Sequence, residues 1–195
     1  MIVSIWGTML GYMTVSSFTP GPGNILAMNI TARFGWRNGK TLIWGICCGY
    51  FCVQMLCTVA LYGLNSILAP ALSVLKYIGS VYMVWLAIHI MRSQPTLDEQ
   101  YGKPSFREGF LLQLVNVKIY FYITTLLSAY LIPNIHSFYG LLLAGVGVVA
   151  FGSIACLSWA GLGMSLQTVY TKHFKTINVR MGLFLLYCAY GIMRS

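Results

Sequence analysis

Acidic side chains are almost missing from this chain: Asp and Glu number three in 195 residues, against twelve Lys and Arg. Charged residues make up 8% of it, where a soluble protein carries roughly 25%. So few charges cannot cover the surface of a water-soluble domain, and a soluble enzyme is excluded. Disorder is excluded as well, because 58% of the residues are hydrophobic. Catalytic signatures are missing: there is no HExxH, no GxSxG and no phosphate-cradling glycine loop. His89, His136 and His173 stand in three separate segments. Cys47, Cys48, Cys52 and Cys57 crowd one segment, but no His or acid stands near them in sequence to complete a metal site. With Cys156 and Cys188 they are expected to pack as small buried residues, so neither a metal nor a cofactor is expected.

What the chain has in quantity is long apolar runs. A bilayer core takes about 20 apolar residues as a helix, and six stretches qualify: 5–32, 41–64, 69–91, 109–131, 138–162 and 177–193. The expected fold is all-α, a polytopic membrane protein of six transmembrane helices forming one domain over residues 1–195. A polar interval at 92–105, holding Pro95, Pro104 and two of the three acids, separates a first repeat (1–91) from a second (106–195). The cations orient it. Arg33, Arg37 and Lys40 follow the first span, Arg92, Lys103 and Arg107 the third, and Lys172, Lys175 and Arg180 the fifth, nine of the twelve on one side. Cytoplasmic loops carry the Lys/Arg excess, so both termini are expected outside a bacterial inner membrane. The net charge of +9 thus reports orientation rather than a nucleic-acid partner. The first ten residues lack the cation of a signal peptide, so the first span is expected to be retained. Trp6, Trp36, Tyr101, Phe138 and Tyr139 fit an interfacial aromatic belt.

Two features interrupt the apolar pattern. The first span contains Pro20-Gly21-Pro22-Gly23-Asn24, where two prolines remove backbone donors and two glycines loosen the chain. A lone proline reads as a packed kink; this run favours an interrupted helix lining a cavity, since lipid leaves unpaired backbone groups unsatisfied. The fourth span holds Gln113-Leu-Val-Asn116-Val-Lys118, and a Lys inside an apolar helix is costly enough to be functional by default. Lys118 lies eleven residues past Arg107, roughly 16 Å along a helix, and Asn24 nine residues before Arg33, roughly 14 Å. Both sites stand at one depth, too far in for Lys118 to snorkel readily.

Three spans per half invert the second half relative to the first, and inverted repeats whose interrupted helices meet at the midplane are the architecture of secondary transporters. Free N–H groups at the helix start after Pro22, together with Lys118, suit a carboxylate. The amide oxygens of Asn24, Gln113 and Asn116 suit an ammonium. No span holds an acid, so the pocket fits a small zwitterionic amino acid rather than a dibasic substrate. Gly45 and Gly49 form a GxxxG in the second span, and Gly140, Ala144, Gly147 and Gly152 a similar row in the fifth. Close helix packing is expected there, and such faces permit a homodimer. Ser105 and Glu108 spell a capping box, which makes Glu108 a helix cap rather than a proton carrier.

With Pro20-Gly21-Pro22-Gly23-Asn24, Arg37-x-Gly39 followed by Gly45-x-x-x-Gly49, and Gly109 leading to Asn116-Val117-Lys118, the chain resembles the lysine exporter family of bacterial amino-acid exporters over essentially its whole length. The segment Gln113 to Lys118 is similar in particular to the cysteine/O-acetylserine exporter branch. The resemblance implies outward transport of a small neutral amino acid or related metabolite in exchange for protons, at a site built from Pro20 to Asn24 with Gln113, Asn116 and Lys118. Two positions depart from the usual motifs. Gly23 replaces an Asp or Asn that would bind a proton or an ammonium. Val117 replaces a proline, so the fourth helix is expected to stay more continuous than is usual. A transmembrane thiol relay on a related fold is a rival, but it needs a reactive Cys in both the first and fourth spans, and neither holds one. A non-transporting scaffold would need neither Lys118 nor the broken span.

Overall fold

A computed structural model describes residues 2–63, 65–92 and 104–194. Of the expected loop at 92–105, only Arg92, Pro104 and Ser105 fall among them; Lys103 and Tyr101 lie outside the described residues. The described residues contain no strand. They form α1 (Ile2–Phe18), α2 (Pro22–Gly63), α3 (Asn65–Arg92), α4 (Phe106–Leu114) and α5 (Val117–Leu126), which runs on into a π-helical turn (Leu127–Leu131). Then come α6 (Phe138–Ser165), α7 (Gln167–Lys172) and α8 (Phe174–Arg194). By length and hydropathy alone, α2, α6 and the bent pair α4–α5 can cross a membrane. The outer surface is apolar: Trp44, Val81 and Leu143 are 62%, 70% and 75% exposed, which suits contact with lipid rather than water.

The first expected loop is instead a hinge. α2 is helical on both sides of the basic stretch 33–40, and Gly35 alone leaves helical geometry, at φ 70° and ψ 173°, which a side chain rarely tolerates. Beyond it the chain doubles back. A methyl placed on Gly39 would stand 3.0 Å from Ile30 Cγ2, whereas nine residues of straight helix span roughly 14 Å. α2 is thus a helical hairpin with arms 22–34 and 36–63.

The fourth span does not stay continuous either. α4 and α5 meet at 58° across Val115 and Asn116, even though Val117 stands where the family motif has proline. The break is held from outside the helix. α3 lies so close to the Val115 carbonyl that a methyl on Gly79 would come within 2.5 Å of its oxygen, and the Asn116 amide pairs with the Gln113 side chain instead of capping α5. The start of α4 is as expected: the Glu108 N–H donates to Ser105 Oγ at 3.3 Å and the Ser105 N–H to Glu108 Oε2 at 3.2 Å.

The buried side chains collect in two layers. Ile25, Leu26 and Ala27 of the first α2 arm pack with Ile43 and Ile46 of the second and with Ala160 of α6. Met13 of α1 packs instead with Tyr50, Val53, Tyr122 and Val148. The broken first span therefore runs from one layer to the other, and its break lies at the seam. Across that seam the expected glycine stripe faces α4. A methyl on Gly45 would stand 2.1 Å from the Phe106 carbonyl oxygen, and one on Gly109 2.1 Å from that of Leu42. The expected row on the fifth span packs only in part: Gly152 lies against the Tyr50 ring, while Gly147 meets nothing within 4 Å.

Gly45→Val or Gly109→Val is expected to push the two backbones apart at a cost of about 1–3 kcal/mol, a fall in Tm of roughly 3–10 °C. A thermal melt of the detergent-solubilised protein reads it. Gly147→Ala is expected to leave Tm in place, and equal shifts for all three variants would refute the backbone contact.

Candidate functional site

α1 ends because Pro20 has no N–H with which to continue the ladder, so its last carbonyls are left open. Side chains take them up. Asn24 Nδ2 donates to the Ser17 carbonyl at 2.8 Å and to that of Thr19 at 3.2 Å. Trp159 Nε1 donates to Phe18 at 3.2 Å, and Lys118 Nζ to Thr19 at 2.7 Å. The ladder restarts where the Ile25 N–H donates to the Gly21 carbonyl at 2.9 Å, leaving the first N–H groups of α2 outside it. The fit is close: a methyl on Gly21 would stand 2.9 Å from Lys118 Cδ and 3.1 Å from Nζ.

The second break lies against the first. Gln113 sits between the two arms of α2, since a methyl on Gly23 would stand 3.3 Å from its Oε1 and one on Gly49 2.8 Å from its Cβ. Asn116 Nδ2 donates to Gln113 Oε1 at 2.7 Å, and Asn116 Oδ1 is left buried without a partner. A buried acceptor in that condition costs about 1–3 kcal/mol, which makes it a place for a donor to arrive. Of the three amide oxygens expected to receive an ammonium, that of Gln113 is already engaged by Asn116, while Asn24 bonds the α1 carbonyls through its nitrogen. Asn116 Oδ1 is the one left buried without a partner.

Gly21, Gly23, Asn24, Gln113, Asn116 and Lys118 line one chamber of ≈ 40 Å³, room for roughly three or four water-sized groups. Pro20 and Pro22 do not line it. They face, together with Gly21 and Lys118, a wider groove of ≈ 500 Å³ bordered by α1, α5 and α8. The rest of the chamber wall was not foreseen: Tyr50 and Cys47 from α2, Tyr122 from α5, and Ser153 and Cys156 from α6. Cys57 packs in the core as expected, at 1% exposure, but Cys47 and Cys156 face the chamber. The available signal was position, because Cys47 stands between Gly45 and Gly49, and Tyr50 and Tyr122 are aromatics far from any span end. Among the described residues, no three His, Cys, Asp or Glu side chains converge as a metal site.

Two side-chain clusters stand on either side of the break. On the α1 side, Tyr12 stacks on Tyr122 and Tyr130 with ring centroids 5.8 and 6.2 Å apart, and Tyr50 lies 6.4 Å from Tyr122. On the first α2 arm, Asn29 Nδ2 donates to Tyr170 Oη at 3.1 Å and to Asn178 Oδ1 at 3.0 Å, and Tyr170 Oη donates to Asn178 Oδ1 at 2.8 Å. These three buried residues join the first α2 arm to α7 and α8. Arg33, Lys172, Lys175 and Arg180 stand within a few residues of them in the chain.

The model of the LysE type translocator family matches residues 14–195. Cysteine/O-acetylserine efflux proteins of Escherichia coli strain K12, Escherichia coli O139:H28 and Shigella flexneri are each 32% identical to the chain over 93% of both sequences. No solved structure matches it. The matched length takes in both helix breaks and the residues that line the chamber they share. The chain belongs to the LysE type translocator family and is a membrane transporter, not an enzyme.

Proposed function

We propose that this protein exports a small neutral amino acid or close derivative, of the cysteine/O-acetylserine class, from the cytoplasm across the bacterial inner membrane, by alternating access and in exchange for protons. The observation that carries this is the Lys118 ammonium seated in the α1–α2 break, 2.7 Å from the Thr19 carbonyl. Its remaining donors, with the N–H groups that open α2, receive the substrate carboxylate. Asn116 Oδ1 receives the substrate ammonium. Pro20 and Pro22 make the break, Gly21 and Gly23 let Lys118 and Gln113 approach it, and Asn24 secures its carbonyls. The names of the efflux relatives support the substrate class.

The tyrosine stack and the Asn29–Tyr170–Asn178 cluster act as gates. The tyrosine stack faces outward and Asn29–Tyr170–Asn178 faces the cytoplasm, because the cations cluster beside the latter. The six spans then form two inverted repeats, 1–91 and 106–195, each opening with a broken span: α1 with the first α2 arm, and α4 with α5. Gly7, Gly11 and Gly147 meet nothing within 4 Å, which leaves close-approach faces for a homodimer.

In proteoliposomes, Lys118→Ala at the wild-type protein level is expected to cut amino-acid efflux about 10- to 100-fold, the loss of a charged hydrogen bond. Efflux that survives the change removes the carboxylate role. Asn116→Leu is expected to raise KM about tenfold through loss of the ammonium acceptor; an unchanged KM would clear Asn116 of that part.

For orientation, alkaline phosphatase fused to the C-terminus is expected to be active and a fluorescent protein fused there dark, with the reverse in the 93–103 interval. The opposite pattern overturns the placement of both termini outside.

A further inference from the structure

One part of the chamber wall has no role in the scheme above. Cys47 comes from the second α2 arm, and Ser153 and Cys156 from α6, three residues apart and so on one helix face. All three line the chamber that holds Lys118 and Asn116. Lining one chamber from two packed helices, they form one patch of its wall. Its groups are two thiols and a hydroxyl. Beside it, Gly152 is covered by the Tyr50 ring, with no room there for a side chain.

A substrate held by its carboxylate at Lys118 and its ammonium at Asn116 has Cys47, Ser153 and Cys156 on the adjoining wall to receive its side chain. Thiols and a hydroxyl are small, polarizable and weak as donors and acceptors. They complement a thiol or a short ester. A carboxylate or ammonium side chain would give up its water there without gaining a partner, and a large apolar one would not fit.

Resting on the amino-acid reading of the site, we propose that Cys47, Ser153 and Cys156 form the subsite for the substrate side chain and select small neutral side chains bearing a sulfur or an ester oxygen over purely aliphatic ones.

The test is counterflow into proteoliposomes of the full-length protein with L-cysteine, O-acetyl-L-serine, L-serine and L-alanine, for the wild type, Cys47→Ala and Cys156→Ala. In the variants KM for cysteine and O-acetylserine is expected to rise about tenfold while that for alanine stays within about twofold. A parallel loss on all four substrates, or no change on any, overturns the subsite and leaves the exporter standing. A wild type that carries none of the four overturns the amino-acid reading and the subsite with it. Should either variant fail to reach the membrane, the wild type supplies the second measurement: alkylation of Cys47 by N-ethylmaleimide, read by peptide mass. O-acetyl-L-serine, which has no thiol to consume the reagent, is expected to slow labelling of Cys47 about fivefold or more and to spare the exposed Cys48. Equal labelling with and without it overturns the proposal.

Discussion

A helix that stops in the middle of a bilayer leaves carbonyls that no water reaches, and a lysine at that depth carries a charge that no water solvates. In this protein each difficulty answers the other. The α1 break presents its carbonyl oxygens at the negative end of a helix, where a cation is favoured, and Lys118 donates to the outermost of them, that of Thr19. Asn24 and Trp159 take those of Ser17 and Phe18, so the ammonium is not consumed by the repair. It has three donors, and those left over from Thr19 are available to a ligand. An interruption that looks like damage to a span is the feature that lets a charge stand in the membrane at all.

That meeting depends on contacts some distance from it. Lys118 sits on α5, whose direction is set by the bend from α4, and α4 is located by backbone contact with Gly45 and Gly49 of the second α2 arm. The same α2, beyond its hinge at Gly35, supplies the first arm with Gly23 and Asn24. One helical hairpin therefore holds both sides of the chamber. With lipid outside as apolar as the helix faces inside, little hydrophobic force draws the helices together, and close packing at small residues takes over that task.

The sequence disclosed the break at Pro20–Asn24 and the lysine that meets it because prolines, glycines and a lone charge stand out against an apolar background. It concealed what depends on tertiary contact. The stretch from Arg33 to Lys40 reads as a loop by its charges, yet one glycine at φ 70° suffices to turn the chain and helix resumes at once on either side. Val117 promised a smoother fourth helix, but the bend there is fixed by α3 against the Val115 carbonyl and by the Asn116–Gln113 pair, not by a missing N–H. The chamber wall on α6 was illegible for a different reason. A helix apolar all round offers no polar stripe to mark the face that looks inward, so Ser153 and Cys156 resembled their lipid-facing neighbours.

The two clusters proposed as gates differ in chemistry, and both are weak. The Asn29–Tyr170–Asn178 cluster can open by exchanging its hydrogen bonds for bonds to water, a net change of about 0.5–1.5 kcal/mol for each. The rings of Tyr12, Tyr122 and Tyr130 gain about 0.5–1.5 kcal/mol per pair beyond the area they bury. A ligand shifts a two-state equilibrium only by the difference in its affinity for the two states, and a solute small enough for a chamber of ≈ 40 Å³ has few atoms with which to create that difference. On the proposed alternating-access reading, clusters made of a handful of such contacts lie within its reach. A continuous leucine-packed plug at either end would not.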